Sequence, residues 1–242
     1  MRIQVVGRDS DHFCEKARTA GFEVVTEAPD LIVAYGGDGS LIGAERKYPG
    51  ILKLPIRERD TCIKCEEHQD ELMLEKLRSR ALEEHSLMLI ECVKDGIQLR
   101  AMNDIIVRNA DPRAAVRFRV RLNGRRVTEE MIGDGLVACT PFGSSAYFRS
   151  ITRTVIRVGI GLAFNNCTDL LNHLVIADNE EISIEFTRGP GRLAADNDAR
   201  TSTIGDGDVI VIRRGSSDAR ILAIDTLRCA ACRYVHAPRR RY

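Results

Sequence analysis

Leu31-Ile32-Val33-Ala34-Tyr35-Gly36-Gly37-Asp38-Gly39-Ser40 is the stretch on which the fold turns. Five consecutive apolar residues predict a strand buried on both faces, as in a parallel sheet. Open α/β sheets bind ligands just past the carboxyl ends of their strands, where Gly36, Gly37 and Gly39 stand. Glycines let a ligand approach the backbone, and their amides can face phosphate oxygens at the start of a following helix. A carboxylate in such a turn repels phosphate, so Asp38 suits the work of a general base or hydroxyl-orienting group. The plain alternative is a tight turn in which Asp38 caps the helix. Gly37-x-Gly39-x-x-x-Gly43 is one residue too long for the dinucleotide fingerprint, and no Walker lysine is present.

Around this stretch the first ~60 residues alternate in α/β style. Arg2–Gly7, Phe22–Val25 and Ile51–Ile56 are predicted strands. Ser10 is a plausible N-cap for a helix carrying Phe13, Cys14, Ala17 and Ala20, with Gly21 at its C-terminus. Gln69–Glu84 reads as a further helix. Beyond residue 86 the period shortens to two. Asp95-Gly96 turns one hairpin, and Val116, Phe118, Val120 and Leu122 alternate with arginines before Asn123-Gly124 turns another. Short strands follow at Leu136–Cys139, Leu174–Ala177, Ile182–Phe186, Val209–Arg213 and Ile221–Ile224. The fold class is α+β: an N-terminal α/β domain over 1–92, and a β-rich, sandwich-like domain over 93–220.

The 242 residues are 44% hydrophobic and 29% charged, with a formal net charge of +1. That balance argues against a nucleic-acid binder, and no apolar run is long enough for a membrane helix. The first strand begins at Arg2, so no leader peptide is expected and a cytoplasmic location follows.

A second constellation is Gly133-Asp134-Gly135-Leu136-Val137-Ala138-Cys139-Thr140-Pro141-Phe142-Gly143-Ser144-Ser145-Ala146-Tyr147. A strand runs into a small-residue turn where hydroxyls, amides and one aromatic converge, which suits a ribose or a base edge. Asn103-Asp104 pairs an amide with a carboxylate, a combination that can hold a ribose diol.

Taken in order, GGDGS after a hydrophobic strand, Asn103-Asp104 and DGLVACTPFGSSAY resemble the NAD kinases, within the larger group of GGDG kinases. Ala195-Asp196-Asn197-Asp198 is similar to the family's DGQ segment. The resemblance implies that a terminal segment, 221–242, returns to the first domain. It implies transfer of a phosphoryl group from ATP or another donor, with Mg²⁺ or another divalent cation, to the 2′-hydroxyl of the adenosine ribose of NAD. It places Asp38 as the catalytic acceptor of the hydroxyl proton, with Gly36, Gly37 and Gly39 beside it. Asn103, Asp104, Ser145, Ala146, Tyr147 and Ser150 fall on NAD-contacting positions. Asp134 falls on an aspartate that reaches the nicotinamide end, often from a neighbouring subunit, so a homo-oligomer (dimer or tetramer) is implied.

Departures from the family pattern are specific. Asp104 replaces glutamate, Phe142 and Ser145 replace threonines, and Thr152-Arg153 replace two glycines after Ser150. Either the donor or ribose site is reshaped, with Arg153 meeting a phosphate, or phosphoryl transfer is weakened. A lipid or small-alcohol kinase and a non-catalytic nucleotide sensor are the rival functions.

Of eight cysteines, four form the pairs Cys62/Cys65 and Cys229/Cys232. Four thiolates at this spacing fit a closed structural Zn²⁺ site, with His68 in reserve. Redox-active pairs and unremarkable cysteines are the alternatives. His12, His85, His173 and His236 read as surface or core residues.

Overall fold

The computed structural model describes residues 1–58 and 66–228. The chain divides into two units, one running to Ser86 and resuming at Ala219, the other spanning Leu87–Asp218.

Unit one begins with β1 (Arg2–Gly7), α1 (Asp11–Thr19), β2 (Glu23–Val24) and β3 (Leu31–Tyr35). It continues through α2 (Asp38–Lys47), β4 (Leu52–Ile56), α3 (Asp70–Arg78) and β5 (Glu84–Leu87). Unit two holds β6 (Ile90–Lys94), β7 (Ile97–Ala101), β8 (Asp104–Asn109), β9 (Val116–Leu122), β10 (Arg125–Arg126) and β11 (Met131–Gly133). It goes on through β12 (Gly135–Cys139), α4 (Tyr147–Thr152), β13 (Ile160–Asn165) and β14 (His173–Ile176). It ends with β15 (Ile182–Arg188), β16 (Gly191–Ala195), β17 (Ser202–Ile204) and β18 (Val209–Arg214). The chain then re-enters unit one as β19 (Ala219–Leu222) and α5 (Asp225–Arg228).

The sheet of unit one has the order β2-β1-β3-β4-β19-β5, and β1, β2, β3, β4 and β19 pair in parallel. Every residue of β3 is buried, as its unbroken apolar run requires. The returning β19 pairs with β4 and stands between β4 and the edge strand β5. The helix expected over Gln69–Glu84 is shorter than predicted. It stops at Arg78, Arg80 turns the chain with φ +57°, and Glu84 already belongs to β5.

Unit two stacks two antiparallel sheets, β10-β9-β15-β18-β6-β7 and β14-β13-β12-β8-β16-β17. Val116, Phe118 and Val120 point into the core between them, and Arg117, Arg119 and Arg121 face the acidic Glu130 and Glu185 outside. Phe118 packs at ring-centroid distances of 6.4 Å from Phe164 and 6.2 Å from Phe186. Asn123 (φ +49°) and Gly124 (φ +78°) form the predicted hairpin turn. β12 is buried throughout, because α4 covers its other face. Phe148 of α4 packs there with Val137, Cys139 and Ala163.

Candidate active site

In unit one the glycine turn leaves the carboxyl end of β3. Gly36 has φ +137°, and a Cβ at that position would lie 2.2 Å from Ser40 Oγ, so only glycine fits without displacement. Its N–H donates to Ile56 O at 2.7 Å, which pins the turn to β4. Gly37 takes the cap position in extended conformation, and the half-buried Asp38 is the first residue of α2. The carboxylate is therefore not the cap. It stands in the first helical turn, next to the exposed Gly39.

Beneath this helix lies a feature that no motif announces. Lys53 of β4 is wholly buried, forms an ion pair with Glu45 of α2, and donates to Tyr48 O at 2.7 Å. Gln4 Nε2 donates to the Tyr48 hydroxyl at 2.8 Å. A buried ammonium is costly unless paired and hydrogen-bonded. Here the pair ties α2 to β4 and so fixes where Asp38 stands.

In unit two, three separated stretches interlock. Thr140 Oγ1 donates to Met102 O at 2.5 Å, Thr140 N–H donates to Asn103 O at 2.9 Å, and Gly143 N–H donates to Thr140 Oγ1 at 3.1 Å. A Cβ on Gly143 would lie 2.1 Å from Asn103 O. The turn after β12 thus sits directly on Asn103. Asp196, beyond β16, accepts the N–H groups of Met102 (2.7 Å), Asn103 (2.8 Å) and Asp104 (3.0 Å). Asp104 is 5% exposed. Burial, and then the nearby Asp196 carboxylate, push its carboxyl up to about 7. Asn103 Oδ1 is shielded from solvent and has no hydrogen-bond partner among the described residues.

The remaining candidates spread along β12. Asp134 precedes this five-residue strand and Thr140 follows it, so the two residues stand about 20 Å apart along the chain. Asp134 receives Asn166 Nδ2 at 3.2 Å. Tyr147, half-buried on α4, receives Asn165 Nδ2 at 3.3 Å on its hydroxyl, and so links the two ends. Ser145 is half-buried, and Ala146 and Ser150 are exposed. Ser150 Oγ donates to Tyr147 O at 2.7 Å. The structure therefore gathers Asn103, Asp104 and the turn that leads to Ser145 at one end, and sets Asp134 at the other. Sequence reasoning missed the stapling role of Asp196, the Asn165 contact and the Lys53–Glu45 pair.

Cys62, Cys65, Cys229, Cys232 and His236 lie outside the described residues. Among the described residues no group of three or more His, Cys, Asp or Glu side chains could hold a metal ion. Burial pushes the Cys92 and Cys139 thiols up to about 12, which makes them packing groups rather than nucleophiles. No helix among the described residues is long and apolar enough to cross a membrane.

No family model matches the chain. An NAD kinase of Polaromonas sp. is 29% identical over 209 residues, covering 80% of this chain and 70% of that protein. An NAD kinase of Saccharolobus islandicus is 27% identical over 164 residues, 64% of each. Among solved structures, an Archaeoglobus fulgidus NAD kinase in complex with ATP has a TM-score of 0.75 at 19% identity, over 96% of this chain and 97% of that one. The yeast NADH kinase complexed with NADH has a TM-score of 0.80 at 16% identity, over 93% and 84%. In sequence and in fold the chain is similar to the NAD kinases.

Proposed function

We propose that the protein transfers a phosphoryl group from ATP, or another phosphoryl donor, to the 2′-hydroxyl of the adenosine ribose of NAD. The observation that carries this reading is the interlock of Asn103-Asp104 with the Thr140–Gly143 turn and Asp196. It leaves a shielded acceptor, Asn103 Oδ1, with no partner among the described residues, beside a buried carboxyl. An orphaned acceptor costs free energy unless something donates to it. A ribose hydroxyl is a donor of the right kind. The roughly 20 Å between Thr140 and Asp134 suits an elongated ligand, with Tyr147 supplying an aromatic face along it.

A ribose hydroxyl is a weak nucleophile near neutral pH. Asp38 accepts its proton as the new P–O bond forms and the donor's bridging P–O bond breaks, releasing ADP where ATP is the donor, while the glycines around it leave room for a phosphate chain. Asp104 and Asn103 hold the ribose, and Asp196 holds both of them through their backbone N–H groups. The first turn of α2 contributes its positive dipole end. A divalent cation bound with the donor would neutralise charge on the transferred group. Incubation of the purified protein with NAD, Mg²⁺ and either ATP or polyphosphate should give NADP. Phosphorylation of a lipid alcohol instead would favour the rival kinase class, and NAD binding without NADP would favour a sensor.

Cys62, Cys65, Cys229 and Cys232 are proposed to hold a structural Zn²⁺. Support comes from the described residues that flank them. Arg57 donates to the carbonyls of Thr226 (3.2 Å) and Leu227, Thr226 Oγ1 donates to Pro55 O (3.0 Å), and the buried His68 bonds Asp225 (3.3 Å). The chain leading into one pair is thus tied to the chain leading into the other. A cytoplasmic homo-oligomer completes the proposal.

A further inference from the structure

Beside the nucleotide motif of unit two lies a cleft of about 420 Å³ lined by Ala146, Arg149, Ser150 and Arg153. Both arginines are exposed, and neither makes an ion pair among the described residues. They stand four residues apart across the end of α4, a spacing that brings like charges together at some cost to the helix. Arg153 terminates α4 in the left-handed region at φ +61°, where any side chain other than glycine is disfavoured. Two unfavourable features are thus maintained at one spot, and both place a guanidinium on the same cleft. Ser150 Oγ donates to Tyr147 O and keeps lone pairs toward its surroundings.

We infer that Arg149 and Arg153, with Ser150 between them, form an anion seat that takes a phosphate group of a bound nucleotide. Guanidinium groups present planar, forked donors matched to phosphate oxygens, and two around one anion relieve their own repulsion. The proposal rests on the nucleotide reading above, because it needs a phosphate-bearing ligand next to Tyr147. The phosphate can belong to the acceptor dinucleotide or to the phosphoryl donor, since the chemistry of recognition is the same.

The test uses the full chain and its variants Arg149→Gln, Arg153→Gly and Arg153→Lys. Titration calorimetry with NAD, ATP and inorganic tripolyphosphate is run beside steady-state kinetics. Arg149→Gln and Arg153→Gly should each weaken tripolyphosphate by about tenfold to a hundredfold, as loss of a charged hydrogen bond implies. Arg153→Lys should keep part of the affinity. A rise confined to the KM for NAD assigns the phosphate to the acceptor, and a rise confined to the KM for ATP assigns it to the donor. Arg153→Gly suits φ +61°, so its Tm should not fall, and a binding loss then cannot be unfolding. Wild-type affinity for all three probes in Arg149→Gln and Arg153→Gly would overturn the seat. Loss of tripolyphosphate binding in a protein that makes no NADP would keep the seat and remove the kinase reading.

Discussion

Asp104→Asn tests the centre of the proposed unit-two site through its pH dependence. The Asp104 carboxyl sits near 7 instead of the ordinary 3.8, because burial and the Asp196 charge disfavour ionisation. In the folded protein this group holds its proton where the unfolded chain has lost it. Stability therefore falls as pH rises from about 4 to about 7, and is flat in this group above that. The span of about three pH units corresponds to ~4 kcal/mol of stability lost by pH 8. Asparagine has nearly the same shape and does not titrate. Chemical denaturation at pH 5 and pH 8 should show a wild-type decline that is smaller by a few kcal/mol in Asp104→Asn. Ligand binding carries the opposite sign. If the ionised carboxylate receives ribose hydroxyls, NAD affinity should fall by up to tenfold per pH unit below 7 and level off above it. In Asp104→Asn that slope should vanish. Parallel pH profiles of NAD affinity in wild type and variant would refute the assignment of Asp104 to the ribose.

Asp38→Asn should keep the fold and most NAD binding while lowering turnover by ~10²-fold or more, the usual worth of a general base; near-normal turnover, measured as NADP formed, would remove Asp38 from the chemistry. Gly143→Ala forces a Cβ to within 2.1 Å of Asn103 O, so it should destabilise by roughly 1–3 kcal/mol and weaken NAD binding together. Thermal denaturation and NAD titration check this, and an unaltered KM for NAD would show that Asn103 is not part of the site. The protein purified without chelator should carry about one zinc per chain by elemental analysis, and Cys229→Ser should lose it and lower the Tm, since zinc binding of this kind acts as folding free energy. Metal-free wild-type protein would end that proposal.

The parts of the fold legible in the sequence are those that local rules dictate. The apolar run Leu31–Tyr35, bounded by Gly36-Gly37, reads as a strand covered on both faces, and all five residues are buried. The alternation from Val116 to Leu122, closed by Asn123-Gly124, specified both a strand and its turn. Prediction failed where tertiary pairing overrode local preference. Leu77 and Ala81 carry helical spacing past Arg78, yet Glu84–Leu87 is drawn to the sheet edge beside β19, and the helix gives way. β8 and β16 went unseen, because their pairing with each other and with β12 is non-local.

The site divides along the same line. Motif residues are readable because small or chemically distinctive side chains stand at fixed spacings. A Cβ added at Gly36 would lie 2.2 Å from Ser40 Oγ, and one at Gly143 would lie 2.1 Å from Asn103 O, so both positions favour glycine. What holds those residues in place carries no such mark. Asp196 reaches Met102, Asn103 and Asp104 across more than ninety residues of chain, and Lys53 reaches Glu45 from a different element. A lysine inside Leu52–Ile56 reads locally as a solvent-facing residue of a strand, and only the assembled sheet shows it wholly buried. Both supports act on the backbone or helix that bears a site residue. Lys53→Met tests this separation of roles. It removes the ammonium, leaves Glu45 buried and unpaired, and should destabilise the fold by ~3–5 kcal/mol. Lys53→Met with Glu45→Leu removes both charges and should recover much of that loss. If Lys53 serves only to position α2, NADP formation per folded molecule should return with stability in the double variant. Activity that stayed lost after the fold recovered would place Lys53 or Glu45 in the reaction itself.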